Sequence, residues 1–255
     1  MQATPSSDFR RPPATDHETP IQTRNLIAGV FAALGAILLW RAITSERLPL
    51  ALILGWISLD LFLVSIAYLR QNSRAFGKTD DGTMRPLRAI VMAPFLCFTW
   101  AVWQLQNLCS REPAWSEATP GLFVGRRCPF ACLPPKTTTV IDLTAEFPTP
   151  REIRRHTKVV CLPTLDGCPP NLADCLRLFD LLDSIRDSVV YVHCANGHGR
   201  SVTFVAALLT VRGLAETPDA AIEKLRRCRP KASPNAGQRD FLQELARSRG
   251  AVRSG

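Results

Sequence analysis

The chain has little of what several functional classes require. Aromatic residues make up only 7% of its 255 residues, two of them tyrosines, and no aromatic platform for stacking nucleic-acid bases is visible. Histidine is scarce, at four. The cysteines lack the paired close spacing of a zinc site: Cys128 and Cys132 stand near one another, with His156, Cys161 and Cys168 farther along. No metal or other cofactor is expected, and no nucleic-acid partner. The nine cysteines form no regular disulfide framework, and eight of them follow residue 100, which favours a reducing compartment. No internal repeat stands out. A cleaved signal peptide is not expected, because the first apolar run begins well inside the chain and more apolar runs follow. Acidic side chains are outnumbered, 22 against 31 lysines and arginines, and the net charge of +9 suits anionic headgroups or acidic substrates.

What the chain does have falls into unlike parts. Residues 1–24 are rich in Pro, Ser and Thr and are expected to form a disordered tail. Residues 25–108 hold three apolar runs, with helices predicted near 26–43, 48–69 and 87–105. A helix crossing a bilayer needs about 17–25 predominantly apolar residues, and these runs are apolar all round rather than along one face. Trp40 and Trp103 lie near run ends, as interfacial anchors do. The region therefore reads as an integral, multi-pass membrane segment. Asp60 interrupts the second run and is expected to pair with another helix or lie near a helix turn.

Sidedness is contested. Arg70, Arg74, Lys78, Arg85 and Arg88 follow the second run, against Arg41 and Arg47 after the first, which keeps the 70–88 loop cytoplasmic. Three full spans would place residues 109–255 outside. Two spans, with 89–105 interfacial or re-entrant around Pro94, would leave them inside. Cysteine usage favours the second arrangement, so residues 109–255 are expected to be a cytoplasmic domain.

The chemistry is concentrated in Val190-Tyr191-Val192-His193-Cys194-Ala195-Asn196-Gly197-His198-Gly199-Arg200-Ser201. A β-prone run delivers Cys194 into a glycine-bearing loop, and Arg200-Ser201 opens a helix, with five residues between Cys194 and Arg200. Curling residues 195–200 turns successive backbone N–H groups into one concavity at a helix N-terminus, which is an anion site. Gly197 and Gly199 suit the tight curl. Arg200 is placed to hold two oxygens of an oxyanion with its planar fork. The same positive surroundings favour the Cys194 thiolate, a nucleophile. Ser201 is expected to hydrogen-bond the sulfur, His193 to order the loop, and His198 to add positive charge at the mouth, with Ala195 and Asn196 completing the anion-binding loop.

A proton donor for a departing oxygen is sought among the aspartates. Asp166 stands 28 residues before Cys194 in Leu162-Pro163-Thr164-Leu165-Asp166-Gly167, in a Pro/Gly-rich loop after a β-prone run. Asp142, within an apolar run, is expected to sit at a strand end and hydrogen-bond nearby backbone.

Together these residues resemble a dual-specificity phosphatase of the cysteine-dependent protein tyrosine phosphatase superfamily, over roughly residues 120–247. Gly121-Leu122-Phe123-Val124-Gly125 resembles the opening strand of such domains, and Val140-Ile141-Asp142-Leu143-Thr144-Ala145-Glu146 the second strand and its turn. Leu162 to Asp166 matches the acid loop, and Ser233-Pro234-Asn235 the opening of the last helix. The resemblance implies a metal-independent, two-step phosphoric monoester hydrolase working through a thiophosphoryl intermediate. It implies Cys194 as nucleophile, Arg200 as phosphate clamp and Asp166 as acid. Phosphotyrosine, phosphoserine and phosphothreonine proteins are the first substrates expected. A phospholipid phosphatase, acting on phosphatidylglycerophosphate or phosphoinositides, is the second reading, and a non-catalytic phosphate-binding pseudophosphatase the third. His198 stands where some phosphoinositide enzymes carry lysine, which breaks any direct transfer of lipid specificity.

The expected fold of residues 109–255 is α/β, a central sheet flanked by helices. Strands are predicted at 122–124, 138–143, 158–162 and 189–193. Helices are predicted at 171–186, with Leu172, Cys175, Leu176, Phe179, Leu182 and Ile185 on one face, at 201–212, from Thr217-Pro218, and at 236–248.

Overall fold

The computed structural model describes residues 21–185 and 188–253; most of the expected tail, 1–20, and Arg186 lie outside the described residues. Two apolar helices come first, α1 (Ile21–Ile43) and α2 (Leu48–Leu69). Both are long and apolar enough to cross a membrane, with mean hydropathy 2.1 over Arg24–Ile43 and 2.2 over α2. They pair as an antiparallel hairpin. Ser58 and Ser65 of α2 each donate a hydroxyl hydrogen bond, at 2.8 Å, to the carbonyls of Gly35 and Ala28 of α1. Most of each helix surface stays uncovered: Leu26, Val30, Ile37, Leu52 and Ile53 are all at least half exposed.

The third run is not one helix. It divides into α3 (Pro86–Val91) and α4 (Ala93–Cys109), joined at Met92, with Pro94 in the first turn of α4, where a missing N–H costs nothing. Asp60 explains the break. Its carboxylate accepts a hydrogen bond from Phe95 N–H at 2.6 Å, while Trp56 Nε1–H donates to the Val91 carbonyl at 2.9 Å. An acid at a helix N-terminus meets free N–H groups and the positive end of the dipole. The turn between α3 and α4 therefore lies at the depth of Trp56 and Asp60, and α4 returns toward the end of α2. The third run thus folds back on itself around Pro94 as two helices and is not one continuous helix.

The remaining residues form a five-stranded mixed sheet in the order β1-β2-β5-β3-β4, with helices around it. The strands are β1 (Trp115–Thr119), β2 (Leu122–Arg126), β3 (Thr137–Thr144), β4 (Lys158–Thr164) and β5 (Val189–Cys194). β1, absent from the sequence expectation, is antiparallel to β2; β2, β5, β3 and β4 are mutually parallel. The helices are α5 (Arg151–His156), α6 (Leu172–Ser184), α7 (Arg200–Val211), α8 (Pro218–Cys228) and α9 (Ala236–Arg253). In α6 the buried stripe is Cys175, Leu178, Phe179 and Leu182; Leu176 is exposed, so Leu178 takes the core place expected for it. α7 is buried along nearly its whole length and is the centre of the core, which accounts for its unbroken apolar sequence. α8 starts as expected, with the Thr217 hydroxyl accepting from Ala220 N–H and Pro218 in the first turn.

Candidate active site at the carboxyl ends of the parallel strands

Ligands on open α/β sheets bind beyond the carboxyl ends of the parallel strands. Here those ends bring together Cys194 from β5, Glu146 just after β3, Asp166 just after β4 and Arg127 just after β2.

The loop after β5 is built by its carbonyls. Cys194 and Ala195 carbonyls accept from Arg127 N–H at 2.8 and 3.1 Å, and Ala195 also from Trp103 Nε1–H at 3.1 Å. Asn196 and Gly197 carbonyls accept from the Arg229 guanidinium at 3.1 and 2.7 Å. His198 and Gly199 carbonyls accept from Ser233 and Thr203 N–H groups. Every carbonyl from 194 to 199 is thus held outward, and in planar trans peptides the following N–H groups face the opposite way, into the concavity. Gly197 has φ +78, and a Cβ there would run into the Gly125 backbone, so this position requires glycine twice over. Gly199, by contrast, has φ −103 and is not left-handed; a Cβ there would press on the Gln238 amide.

Cys194 lies at the floor of this curl, buried, with Gly197 N–H donating to its sulfur at 3.2 Å and the buried Ser201 hydroxyl 3.4 Å away. α7 begins immediately behind, so its unpaired N–H groups and dipole face the same space. Arg200 is held by a two-pronged ion pair with Glu146, at 2.9 and 2.7 Å, and by the Thr164 carbonyl at 2.8 Å. Burial works against its charge, but Glu146 and Asp166 hold its pKa well above the ordinary value. Its Nε is buried and has no hydrogen-bond partner, a donor left for an oxyanion. Asp166 is exposed and stands 3.2 Å from Arg200 Nη2. Its loop is tied down by Tyr68, whose hydroxyl donates to the Asp166 carbonyl at 3.2 Å, and by Asn235, which donates to the Gly167 carbonyl at 2.7 Å.

His193 faces away from the concavity. Its ring contacts the Cys194 carbonyl at 3.3 Å, and burial pushes its pKa down, so it is neutral and orders the loop from behind. His198 does not stand free at the mouth as the sequence suggests. It is bonded to Glu112 at 2.6 Å and burial lowers its pKa, so its contribution of positive charge is small. Asn196 reaches sideways to Gln106 of α4 at 2.8 Å.

Several supporting groups lay beyond sequence reasoning. Asp142, expected to bond local backbone, accepts from Thr144 N–H at 2.9 Å. It is also completely buried against Lys78 Nζ at 2.7 Å and the Thr149 hydroxyl at 2.6 Å. Burial would raise its pKa, but the Lys78 charge holds it well below the carboxylate range. Lys78 comes from the loop after α2, so a buried ion pair fastens the segment after the two apolar helices to the sheet. Glu146 carried only a strand-and-turn resemblance, and Arg229 and Gln106 carried no local signal; Trp103, expected as an interfacial anchor, is instead buried with its indole N–H on the Ala195 carbonyl. Burial pushes the Cys128, Cys161 and Cys168 thiols up to about 11, which sets these cysteines apart as inert thiols.

Beside the loop lies a cavity of about 340 Å³. Ala195, Asn196, Glu146 and Asp166 border it on one side, and Phe31, Phe95, Phe98 and Val102 from α1 and α4 on the other.

Several solved structures resemble the chain. PTPMT1 in complex with PI(5)P is 22% identical, with a TM-score of 0.49, over 56% of this chain and 99% of that one. The human tyrosine phosphatase-like serine/threonine/tyrosine-interacting protein is 21% identical, with a TM-score of 0.47, over 56% and 100%. Human DUSP28 is 22% identical, with a TM-score of 0.48, over 54% and 95%. No curated protein matches the chain. Residues 133–246 match the family described as "PTP-SAK: Swiss Army Knife protein, DSP-PTPase phosphatase domain". Over these residues, and with the loop, strand and helix order above, the chain is similar to a DSP-PTPase phosphatase domain.

Proposed function

We propose that this protein is a membrane-anchored phosphomonoesterase that uses Cys194 as its nucleophile. The observation that carries this reading is the Cys194 sulfur, held between Gly197 N–H and the Ser201 hydroxyl on the floor of an outward-pinned loop, beside a charged Arg200 with a free Nε. The inward N–H groups and Arg200 would take the three phosphoryl oxygens and the charge that develops on them in transfer. The sulfur attacks phosphorus in line, forming an S–P bond as the P–O bond to the leaving group breaks. Asp166, the exposed carboxyl nearest Arg200, gives its proton to the leaving oxygen. In the second step Asp166 takes a proton from water as that water attacks phosphorus, the S–P bond breaks, and Ser201 donates a hydrogen bond to the departing thiolate. Glu146 positions Arg200 through its two-pronged ion pair. A pseudophosphatase fits less well, because such a protein would normally lack the nucleophile or the clamp, and this chain keeps Cys194, Arg200 and Asp166.

Localisation follows from the hairpin. If α1 and α2 cross a bilayer, the start of α1 and the end of α2 emerge on the face where the phosphatase domain sits, since Tyr68 and Lys78 touch that domain. The basic 70–88 loop lies on the same face, so the positive-inside rule makes the domain cytoplasmic. This agrees with the free cysteines.

The test is turnover of a small aryl phosphate by the full chain. Cys194→Ser is expected to abolish turnover while phosphate still binds, and Asp166→Ala to slow release of poor leaving groups far more than good ones. Turnover persisting in Cys194→Ser sinks the mechanism.

A further inference from the structure

We infer that the substrate is the phosphate monoester of a membrane lipid, with its phosphate on the Cys194–Arg200 loop and an acyl chain in the cavity lined by α1 and α4. The inference rests on the reaction proposed above and names its substrate class.

The cavity has two chemically different ends. One borders the anion loop at Ala195 and Asn196 and the carboxylates that face Arg200. The other is lined mainly by phenylalanine rings and aliphatic side chains from the apolar helices, with Tyr68, Thr99 and Gln106 among them. Phe31 packs edge-on against Phe95 at 5.7 Å, and Phe95 lies 5.4 Å from Phe76, giving a continuous aromatic wall. Such a space matches an amphiphile and nothing uniformly polar. A phosphopeptide would bring backbone N–H and C=O groups against the Phe31, Phe95 and Phe98 rings, which offer them no hydrogen bonds, a costly loss of hydration. A small sugar phosphate would leave the wall uncovered.

The wall is also placed where a lipid would arrive. Phe98 is 66% exposed and Leu105 63% exposed on α4, beside the largely bare outer faces of α1 and α2. In a bilayer those faces would be bathed in acyl chains, and the exposed Phe98 edge of the cavity would meet them. Depth agrees as well. α4 begins at the level of Asp60 in the middle of α2 and ends at the catalytic loop, where Trp103 donates to the Ala195 carbonyl. A chain lying along α4 would thus run from hydrocarbon up to the phosphate-binding loop. The aromatic wall is therefore a selectivity element for the hydrophobic part of the substrate. The phosphoprotein substrate expected from the sequence is the alternative that the peptide in the test below decides.

The experiment uses the full chain reconstituted in phosphatidylcholine vesicles. Its substrates are phosphatidic acids with one headgroup and acyl chains of increasing length, a phosphotyrosine peptide, and a small aryl phosphate. Burying methylenes in an apolar site gains up to about fourfold each, so kcat/KM is expected to rise at least about tenfold from the shortest to a long chain. Because partition into the vesicle also depends on chain length, the deciding readout is the long-to-short ratio in Phe98→Asn and in Val102→Trp. The first makes the wall polar and the second fills it, and each is expected to pull that ratio toward one. A ratio unchanged in both variants, or faster turnover of the peptide than of the long-chain lipid, overturns the inference. If the aryl phosphate is hydrolysed with no chain-length dependence, the substrate class fails while the reaction stands. If nothing is hydrolysed, the reaction itself fails, and this inference with it.

Discussion

Lys78 and Asp142 are both buried to within a few per cent of completely, and each neutralises the other. Removing one partner of such a pair leaves an uncompensated charge in the core. Lys78→Met is therefore expected to cost about 3–5 kcal/mol, seen as a large fall in thermal stability. The double variant Lys78→Met/Asp142→Asn, which buries no charge, is expected to recover part of that loss. Glu146 holds Arg200 in a different way, with two parallel charge-assisted bonds. Glu146→Ala is expected to lower kcat/KM about a hundredfold, since such bonds are worth about 1.5–3 kcal/mol each. Glu146→Gln should recover part of the activity by keeping one acceptor, and that rescue distinguishes a positioning role from a fold defect. At this scale the sequence pointed to Cys194, Arg200 and Ser201 through their local spacing, and to Asp166 through the Pro/Gly-rich loop that carries it. Lys78, Glu146 and Arg229 reach the site across 116, 48 and 35 residues from Cys194 (194 − 78, 194 − 146 and 229 − 194), and no local pattern announces them.

At the scale of elements, the catalytic loop is shaped by helices that share no sequence with it. α4 supplies Trp103 and Gln106, and the end of α8 supplies Arg229, whose guanidinium bonds two loop carbonyls. Trp103→Phe keeps the ring but loses the N–H to the Ala195 carbonyl. Its expected outcome is a fall of roughly tenfold or more in kcat/KM, because small misplacements of a preorganised site are costly. Arg229→Met frees two carbonyls of the anion loop and is expected to weaken binding of inorganic phosphate to Cys194→Ser, measured by calorimetry. The strands after residue 120 and helices α6 to α9 were legible from alternation and helical period. β1 was not, since Trp115-Ser116-Glu117-Ala118-Thr119 is a short edge strand whose residues owe their place to pairing with β2. The division of the third apolar run into α3 and α4 was foreshadowed by Pro94 alone, and it took Asp60 on a neighbouring helix to fix it.

Across the whole molecule, acid should loosen the fold in two stages. His193 is buried neutral with a lowered pKa, so the unfolded chain binds its proton first, and stability falls as pH drops below about 6.5. Asp142 also has a lowered folded pKa. Its contribution is complete above the unfolded value of about 3.9 and is lost as pH falls below it. Unfolding of the detergent-solubilised protein between pH 8 and 3 is expected to show both declines, and Asp142→Asn should remove the more acidic one. Topology offers a second measurement. Tags at the two termini are expected to be digested from the same face of sealed vesicles, and a tag in the turn after Ile43 from the opposite face. The sequence by itself determined the spacing of the loop residues, strands β2 to β5, helices α6 to α9 and the two apolar helices, because each is written in spacing and periodicity over neighbouring residues. Only the tertiary structure decided that the third apolar run turns back, and that its aromatic face walls the cavity beside Cys194. Those features arise from contacts between elements distant in the chain, where burial, ion pairing and depth are set by packing and not by any local pattern.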